Sequence, residues 1–532
     1  MTLLSEASFL VTPNGYKEDK LYAAIPTNGN GDMTVTRATT ATRVNEAGLV
    51  ELVPYNIFLR SEQLNNGSWG AFLSTTITPN TSTAPDGALT ADRLQGTASN
   101  WYFAQSIVLT SGVSYTISMY VKSNTGLSQT FRLFGCNIIV SSDFTATNEW
   151  QRFSFTFTST TLNVHGMTRD SSNNTVDLLV WGAQLNEGSS ALTYQKTVDR
   201  LDIPRIDYTG GGCPSILLEP QRTNIVLRSQ EFDNAAWLAG NVTATASSGV
   251  SPDGTNNAYL INVSVPSAHS LKQTITVTAS TAYVFSFWAK RGTITNLTYS
   301  IYDNSAGANI LLTNYYSQTN SSTWTRINIP FTTPVGCTNI GVYPIRDTPA
   351  TGTFYLYGAQ VEAGAYPTSY IPTTTATVTR NADVLSRDNI YTNNLITAAG
   401  GTWFIELDNN ISLTRSGEAN ISQSLGISDN SSSGIVLRNS GTTRQEIFKY
   451  VSASPIHLYT TTTDISKIAI KWNGITADVF VNGAPVVSAT SFTTTLMQFF
   501  QGAIIDTPKY IKQMALFPKP LIDAECQALT TL

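Results

Sequence analysis

A repeated motif is the feature that most constrains how this chain can fold. Residues 56–69 read NIFLRSEQLNNGSW, and residues 224–237 read NIVLRSQEFDNAAW. A Pro-Asp-Gly turn follows each motif, at residues 85–87 and at residues 252–254, where proline presets φ and glycine permits a positive φ. Because matching motifs recur in the same order, the two stretches predict two copies of one structural module.

Alternating apolar and polar residues continue each copy. Residues 105–122 read QSIVLTSGVSYTISMYVK, and residues 273–290 read QTITVTASTAYVFSFWAK. Alternation with a period of two buries one face of a strand and exposes the other, as in an antiparallel sheet. The copies close with WGAQLNEGSSALTYQKT at residues 181–197 and YGAQVEAGAYPTSYIPT at residues 357–373. Roughly eight strands in about 150 residues predict a jelly-roll sandwich for each copy.

The last part of the chain differs in sequence but keeps a strand pattern. Residues 467–490 read KIAIKWNGITADVFVNGAPVVSAT and contain two Asn-Gly pairs, which predict tight hairpin turns. The final residues predict one more strand and a short helix beginning near Asp523. Charged residues are only 13% of the chain, against about 25% in an average domain, and helical periodicity is scarce elsewhere.

The predicted fold class is therefore all-β, with tandem jelly-roll β-sandwiches followed by a third, C-terminal sandwich. The predicted organisation has five parts: an N-terminal segment at residues 1–55, a first sandwich at 56–200, a connector at 201–223, a second sandwich at 224–373 and the third module at 374–532.

Two family resemblances extend this prediction. The third module resembles the laminin-G, or concanavalin-A-like lectin and glucanase, superfamily in its VFVNG hairpin and its closing segment IKQMALF…PLIDAE. The whole chain resembles modular virion proteins of tailed bacteriophages, particularly the crAss-like group, in phrases such as TVTRATTATRVNEAGLVELVPYN and LLEPQRTNIVLRSQEFDNAAW. In those proteins such phrases link carbohydrate-binding-module-like sandwiches to lectin-like domains.

The resemblance implies a non-enzymatic structural protein of the virion, a head or tail fibre or a decoration protein, that adheres to a host surface or its glycans. It further implies that residues 1–55 attach to other capsid or tail proteins. A homo-oligomer, dimer or trimer, located in the virion and assembled in the host cytoplasm is expected. Two alternatives stay open: a tail polysaccharide depolymerase of the glycoside hydrolase type, and a purely architectural capsid decoration protein without a ligand.

Charge and composition argue against several other classes. The net charge is −5 and no run of lysine and arginine is present, so nucleic-acid binding is not expected. No stretch of eighteen apolar residues predicts membrane insertion. The four cysteines lie far apart without a CxxC pair, and the three histidines have no metal-ligand spacing. We expect reduced structural cysteines, exposed histidines, and neither a metal nor a cofactor.

No catalytic residues are predicted. Glycoside hydrolysis needs two carboxylates across a cleft, and the third module has no Glu-x-Asp-x-x-Glu arrangement. Glu187 and Glu362 follow the GAQ segments, and we expect them to be solvated edge residues. A GxSxG nucleophile elbow and a glycine-rich phosphate loop are also missing from the sequence.

Aromatic side chains that are not repeated are the candidate ligand-binding residues, because aromatic faces stack on sugar rings. These candidates are Trp101, Tyr102, Phe103, Tyr315 and Tyr316. A contact between subunits is the open alternative for them, since aromatics are enriched at interfaces. Recurrence favours core packing instead for three aromatic pairs: Trp69 and Trp237, Trp150 and Trp324, and Trp181 and Tyr357.

Overall fold

The computed structural model divides the chain into two compact units. One unit is Pro54–Ile203, and the other combines Met1–Val53 with Pro204–Leu532. The described residues are 3–53, 56–98, 100–109, 111–168, 171–172, 174–198, 201–397, 399–408, 425–428, 434–440, 444–451, 454–463, 465–492, 499–502 and 509–532. Each unit is built almost entirely of antiparallel strands, which confirms the predicted all-β class.

Short strands precede the first sandwich. After a 3-10 turn at Leu3–Glu6 they are β1 Phe9–Val11, β2 Tyr16–Lys17, β3 Lys20–Leu21, β4 Met33–Thr36, β5 Thr42–Val44 and β6 Val50–Leu52. Strands β5 and β6 form a two-stranded sheet of their own among the described strands. The other four strands pair elsewhere in their unit, as described below.

Sandwich 1 consists of two antiparallel sheets. Its strands are β7 Gly70–Phe72, β8 Thr75–Ser82, β9 Ala91–Gly96, β10 Tyr102–Ser106, β11 Ser114–Ser123, β12 Gln129–Gly135, β13 Ile139–Val140, β14 Phe144–Ala146, β15 Gln151–Thr158, β16 Val164–Thr168 and β17 Val176–Glu187. One sheet has the order β13-β12-β16-β10-β7, with β14 also on β12, and the other has the order β15-β11-β17-β9-β8. The inner sides of both sheets form one hydrophobic core.

Sandwich 2 repeats this arrangement. A connector carries β18 Ile206–Asp207, β19 Ser215–Leu218 and β20 Arg222–Asn224. The sandwich follows with β21 Leu238–Gly240, β22 Val242–Thr245, β23 Tyr259–Val263, β24 Ser270–Thr276, β25 Ala282–Arg291, β26 Thr298–Asp303, β27 Ala308–Asn314, a 3-10 turn at Tyr316–Gln318, β28 Thr325–Thr332, β29 Asn339–Arg346 and β30 Gly352–Ala363. Its sheets have the orders β21-β24-β29-β26-β27 and β22-β23-β30-β25-β28, which match those of sandwich 1 except for the additional strand β14.

Repeated buried hydrogen bonds explain the repeated motif. The asparagine that opens each motif is fully buried and ties the closing segment of its sandwich to the motif. The bonds are Asn56 Nδ2 to Ala183 O (2.6 Å) and Gln195 O (3.2 Å), and Asn224 Nδ2 to Ala359 O (3.1 Å) and Ile371 O (2.8 Å). The same side chain is needed twice because buried backbone groups must find partners in both copies.

A third sandwich is assembled from separate parts of the chain. Its remaining elements are β31 Val378–Arg380, β32 Val384–Asp388, β33 Gly401–Leu407, β34 Leu425–Ser428, β35 Gly434–Ser440, β36 Arg444–Val451, β37 Ser454–Thr461, β38 Lys467–Trp472, β39 Thr476–Val481, β40 Ala484–Ser491, β41 Phe499–Gly502, β42 Lys509–Phe517 and α1 Asp523–Thr530. One sheet has the order β18-β19-β42-β33-β38-β39-β40, with β1 on β42, and the other has β2-β3-β4-β32-β41-β34-β35-β36-β37. Strand β31 pairs with β20.

Strands from the N-terminal segment and the connector thus belong to the third sandwich. Strand β1 runs antiparallel to β42, and β4 runs antiparallel to β32. Side chains of both segments, including Phe9, Met33 and Ile216, lie in the same core as those of the C-terminal strands. The domain boundaries inferred from the sequence stay predictions. The structure adds that strands before residue 54 belong to sheets whose other strands lie more than 300 residues later in the sequence, β42 and β32.

The local signals read at the C-terminus agree with the structure. Asn482 and Gly483 both have positive φ, 47° and 86°, as a type I′ hairpin turn requires. The predicted short helix is present, and Glu525 at its start accepts a hydrogen bond from the backbone N–H of Ile522 (2.9 Å). None of the helices in the described ranges has the length and apolar character of a membrane span.

All four cysteines are free, and the expectation that they are reduced stays a prediction. Cys136, Cys337 and Cys526 are buried, and Cys213 is exposed. Burial, the largest effect, raises the pKa of the Cys526 thiol to about 12, so that thiol stays protonated at neutral pH. The buried thiols therefore behave as small apolar side chains.

A buried cluster of charges joins four segments of the larger unit. Arg37 follows β4, Arg205 and Glu219 flank the connector strands, and Arg380 and Asp383 follow sandwich 2. The ion pairs are Arg37 to Asp383 (2.6 Å), Arg205 to Glu219 (2.6 Å), Arg380 to Glu219 (2.7 Å) and Arg205 to Asp383. Burial alone raises the pKa of Glu219, but Arg380 and Arg205 outweigh that effect and hold the pKa at about 2.

Candidate functional site

The outer side of one sheet of sandwich 1 carries a strip of aromatic rings, which we call face 1. Strands alternate their side chains, so Tyr102 points outward while its neighbour Phe103 lies in the core. Tyr102 is paired with Phe72 across β10 and β7, and their rings stack at 4.6 Å with 12° between the planes. The ring of Phe134 on β12 meets Tyr102 edge-on at 6.4 Å.

Small residues form the floor beneath these rings. Gly70, Ala104 and Gly166 lie in one row across three strands, and Phe134 ends the row. A Cβ atom at Gly70 would come within 2.1 Å of the Phe72 ring, so this ring lies down on the sheet only because the side chain beneath it is missing. The result is a broad apolar strip in which Phe72 is 41% exposed.

Polar side chains border this strip. Thr168 pairs with both Tyr102 and Arg132, and Arg132 Nε donates a hydrogen bond to Asp143 Oδ1 at 2.5 Å. The Ser171 hydroxyl and then Arg132 lower the pKa of Asp143, so this carboxylate is ionised at neutral pH. Face 1 thus combines exposed ring faces with a hydroxyl, a guanidinium and a carboxylate.

Sandwich 2 carries the corresponding face 2. Tyr302 pairs with Gly341 as Phe134 pairs with Gly166, so the two rings occupy the same position in the repeat. Here Arg346 takes the place of further rings, with its guanidinium 4.6 Å from the ring centroid of Tyr302 and 4.8 Å from that of Tyr343.

The Tyr343 ring lies down on the sheet in the same manner as Phe72. A Cβ atom at Gly341 would come within 2.8 Å of that ring. Lys272 Nζ lies 5.9 Å from its centroid, and Arg346 Nη1 donates hydrogen bonds to Ser300 Oγ (3.3 Å) and Asn309 Oδ1 (3.1 Å). Face 2 is therefore more polar than face 1 and carries two cations.

Both faces have the chemistry that sugar binding requires. A pyranose ring presents an apolar face that stacks on a flat aromatic side chain, while its hydroxyls need donors and acceptors at the edge of the contact. The flat aromatic side chains are mainly Phe72 and Tyr102 on face 1 and Tyr302 on face 2. In the described part of the chain, no three His, Cys, Asp or Glu side chains converge as ligands of one metal ion would.

The five ligand-binding candidates named from the sequence differ in burial and position. Trp101, Phe103 and Tyr315 are fully buried in the two cores and offer no face to a ligand. Tyr102 lies on face 1 and is half-buried. Tyr316 is half-buried beneath the guanidinium of Arg291, 4.4 Å from its ring centroid, away from face 2. Ligand binding by Tyr102 and Tyr316 stays a prediction.

The structure adds residues that sequence reasoning did not single out: Phe72, Phe134, Lys272, Tyr302, Tyr343 and Arg346. Recurrence predicts core packing, and this prediction holds for Trp69, Trp237, Trp181 and Tyr357, which are buried, but not for Trp150 and Trp324, which are half-buried. The position shared by Phe134 and Tyr302 lies on the outer side of each sheet, where Phe134 is buried against Tyr102 and Tyr302 is half-buried. Leu133 and Ile301 lie in the core, and side chains alternate along a strand. This alternation predicts that the next residues, Phe134 and Tyr302, lie on the outer side of the sheet.

The expectation of exposed histidines and acids holds for His457 and Glu187 and needs correction for three residues: His165, His269 and Glu362. His165 and His269 are buried, and both ring nitrogens of each are hydrogen-bonded to backbone groups. Burial lowers the pKa of His165, so the ring is neutral and structural. Glu187 is exposed as expected, but Glu362 is fully buried because it accepts hydrogen bonds from the backbone N–H of Thr368 (2.8 Å) and from its hydroxyl (2.6 Å).

Comparison with known proteins points to the same module. Residues 225–344 match the family model described as a carbohydrate binding domain, and these residues include β21 to β28 and most of β29. No curated protein matches the sequence.

Two of the solved structures that match the chain are the following. One is the N-terminal CBM22-1-CBM22-2 tandem domain of Paenibacillus barcinonensis Xyn10C, with 12% identity, a TM-score of 0.20, and coverage of 62% of this chain and 100% of that chain. Another is the enzymatically active domain of tailspike protein 4 of Bacteriophage CBA120, with 16% identity, a TM-score of 0.21, and coverage of 26% and 21%. TM-scores this low carry no conclusion about function. The family match stands by itself: sandwich 2 contains a carbohydrate-binding module domain.

Proposed function

We propose that this protein is a non-enzymatic adhesion protein of a tailed bacteriophage virion, which binds surface polysaccharide through face 1 and face 2. The observation that carries the proposal is the carbohydrate-binding match at residues 225–344, which includes most of the residues of face 2. The exposed rings of face 1 on the equivalent sheet support the same role for sandwich 1. The virion assignment rests on the sequence resemblance to phage fibre and decoration proteins.

The acid on face 1 suits sugar binding better than the role of a proton donor. A glycoside hydrolase needs one carboxyl group with a raised pKa as its proton donor. The pKa of Asp143 is lowered instead, by Ser171 and Arg132. An acid held in its ionised form can accept hydrogen bonds from sugar hydroxyls, but it cannot deliver a proton to a leaving group.

Two faces on one chain suit adhesion. Each shallow face offers few contacts, so its own affinity is expected to be modest. Tethered faces raise the effective concentration of the second contact after the first has formed, and a homo-oligomer would multiply that gain. We propose that the virion contact involves the N-terminal part of the chain and that the sandwiches face outward.

Removing the exposed rings is expected to weaken polysaccharide binding strongly. In affinity gel electrophoresis of the full chain with soluble xylan, laminarin and polygalacturonate, at least one polysaccharide should slow the wild type. The combined variant Phe72→Ala, Tyr102→Ala and Tyr302→Ala should lose roughly tenfold or more in affinity, because aromatic residues dominate binding hot spots. Leu89→Ala, which removes an exposed apolar side chain away from both faces, is the control and should bind normally.

Two results would contradict the glycan-binding proposal. One is equal retardation of the wild type and the combined variant. The other is the absence of retardation of the wild type by any polysaccharide, including one purified from the surface of the host.

The virion assignment has a separate test. Mass spectrometry of density-purified particles of the phage that encodes the chain should detect it at a fixed ratio to the major capsid protein. If the chain remains in the soluble fraction of the lysate and is missing from the particles, the virion assignment is wrong, whatever the chain binds.

A further inference from the structure

The two faces differ in charge although they occupy equivalent sheets. On face 1 the guanidinium of Arg132 is paired with the carboxylate of Asp143, and this pair leaves no net charge. On face 2 the cations are Arg346 and Lys272, and the acid beside them is Asp347, 3.2 Å from Arg346 Nε. One positive charge on face 2 is therefore not balanced by this ion pair.

Lys272 supplies that charge. Its ammonium lies 5.9 Å from the centroid of the Tyr343 ring, and within the described residues it has neither a carboxylate partner nor a hydrogen-bond acceptor. It stands on β24 next to the bulge opposite β29, beside the exposed Leu238 of β21. Lys272 is half-buried, and an ammonium without a partner anion interacts favourably with an anionic ligand.

Arg346 is prepared for the same kind of ligand. The rings of Tyr302 and Tyr343 fix the plane of its guanidinium, and its Nε and Nη1 groups already donate to Asp347, Ser300 and Asn309. Its Nη2 group donates to no acceptor within the described part of the chain. A guanidinium held in place in this way loses little freedom when it donates to a carboxylate.

We infer that face 2 selects polysaccharides whose sugar residues carry carboxylate groups, whereas face 1 takes neutral sugars. The inference rests on the proposed glycan binding and adds the ligand class for each face. The Tyr302 ring would stack on the sugar, and Lys272 with Arg346 Nη2 would hold the carboxylate. A sulfated sugar would meet the same cations, and the experiment separates the two anions.

The experiment compares acidic and neutral probes on the full chain. Affinity electrophoresis is run with polygalacturonate, alginate and hyaluronate, with fully methyl-esterified polygalacturonate as the uncharged counterpart, with dextran sulfate, and with laminarin and xylan as neutral glycans. At least one carboxylated polysaccharide should retard the wild type more strongly than the uncharged counterpart and dextran sulfate do. That retardation should weaken as NaCl rises from about 50 to about 300 mM, because salt screens partly exposed charges.

Variants assign the effect to face 2. Lys272→Met keeps the length of the side chain and removes the charge, and it should weaken binding of the carboxylated probe about five- to tenfold while binding of neutral glycans stays unchanged. Lys290→Met is the matched control. Lys290 Nζ also lies over aromatic rings, 5.2 Å from the ring centroid of Trp324 and 5.0 Å from that of Tyr355, but Lys290 belongs to the other sheet of the sandwich. This variant should bind like the wild type. Equal thermal unfolding of both variants confirms that the fold is intact.

The outcomes distinguish this inference from the proposed function. The inference is overturned if Lys272→Met binds the acidic probes like the wild type, if the methyl ester binds as well as the acid, or if only dextran sulfate binds. It is also overturned if only neutral glycans bind, in which case the proposed glycan binding survives. The proposed function itself fails if no polysaccharide retards the wild type.

Discussion

Replacing Asp383 with alanine is expected to destabilise the larger unit by about 3–5 kcal/mol, the usual cost of removing one partner from a buried ion pair. Asp383 is fully buried, pairs with Arg37 and Arg205, and accepts a hydrogen bond from the backbone N–H of Glu219 at 2.8 Å. Without it, Glu219 is the one remaining carboxylate of a buried cluster that contains three arginines, and it pairs with two of them, Arg205 and Arg380. Differential scanning calorimetry and urea unfolding of the full chain measure the loss.

The two units provide an internal reference for this measurement. The transition of Pro54–Ile203 should keep its midpoint, because none of the charges in the cluster belongs to that unit. Glu6→Gln is the matched control: it removes an acid from the exposed pair with Lys519 in the larger unit and should cost less than about 1 kcal/mol. A loss below about 1 kcal/mol for Asp383→Ala would show that the cluster contributes nothing to stability.

The repeat and its strands could be predicted from the sequence because both signals are local. Alternation of apolar residues reports which side of a strand is buried, and the Asn-Gly pairs report the turns. Partner strands that are far apart in sequence leave no such signal. The pairing of β1 with β42 and of β4 with β32 is decided by the shape of the whole core, so residues before 54 looked like a separate segment.

The buried charges were missed for a related reason. Arg37 and Arg380 each end a TVTR sequence, and a charged residue in a loop is normally solvated. Only the fold brings Arg37 to Asp383 and Arg380 to Glu219, two carboxylates that both pair with Arg205. The error in the aromatic candidates was different and avoidable: Trp101, Tyr102 and Phe103 are consecutive, and consecutive strand residues point to opposite sides of a sheet, so they could never form one exposed cluster.

The asparagine that opens each repeat is expected to have the second large effect. Asn224 satisfies four buried backbone groups: its Nδ2 donates to Ala359 O and Ile371 O, and its Oδ1 accepts from the N–H groups of Val226 and Val361, both at 3.1 Å. In Asn224→Ala these groups lose their partner, and since each unsatisfied buried group costs about 1–3 kcal/mol, the larger unit should lose about 3–5 kcal/mol. The exposed Asn314→Ala in the same sandwich should cost less than about 1 kcal/mol.

The equivalent variant in the other copy turns this prediction into a test of the repeat itself. Asn56 makes the same contacts within Pro54–Ile203, so Asn56→Ala should lower only the transition of that unit, and Asn224→Ala only that of the larger one. If the two variants lower the free energies of unfolding of separate units by similar amounts, the recurring NI-x-LRS motif owes its asparagine to the same buried hydrogen bonds in both copies. If both variants lower the same transition, or if either costs less than about 1 kcal/mol, the buried asparagine does not explain the recurring motif. In that case the asparagine does not stabilise each sandwich in the same way.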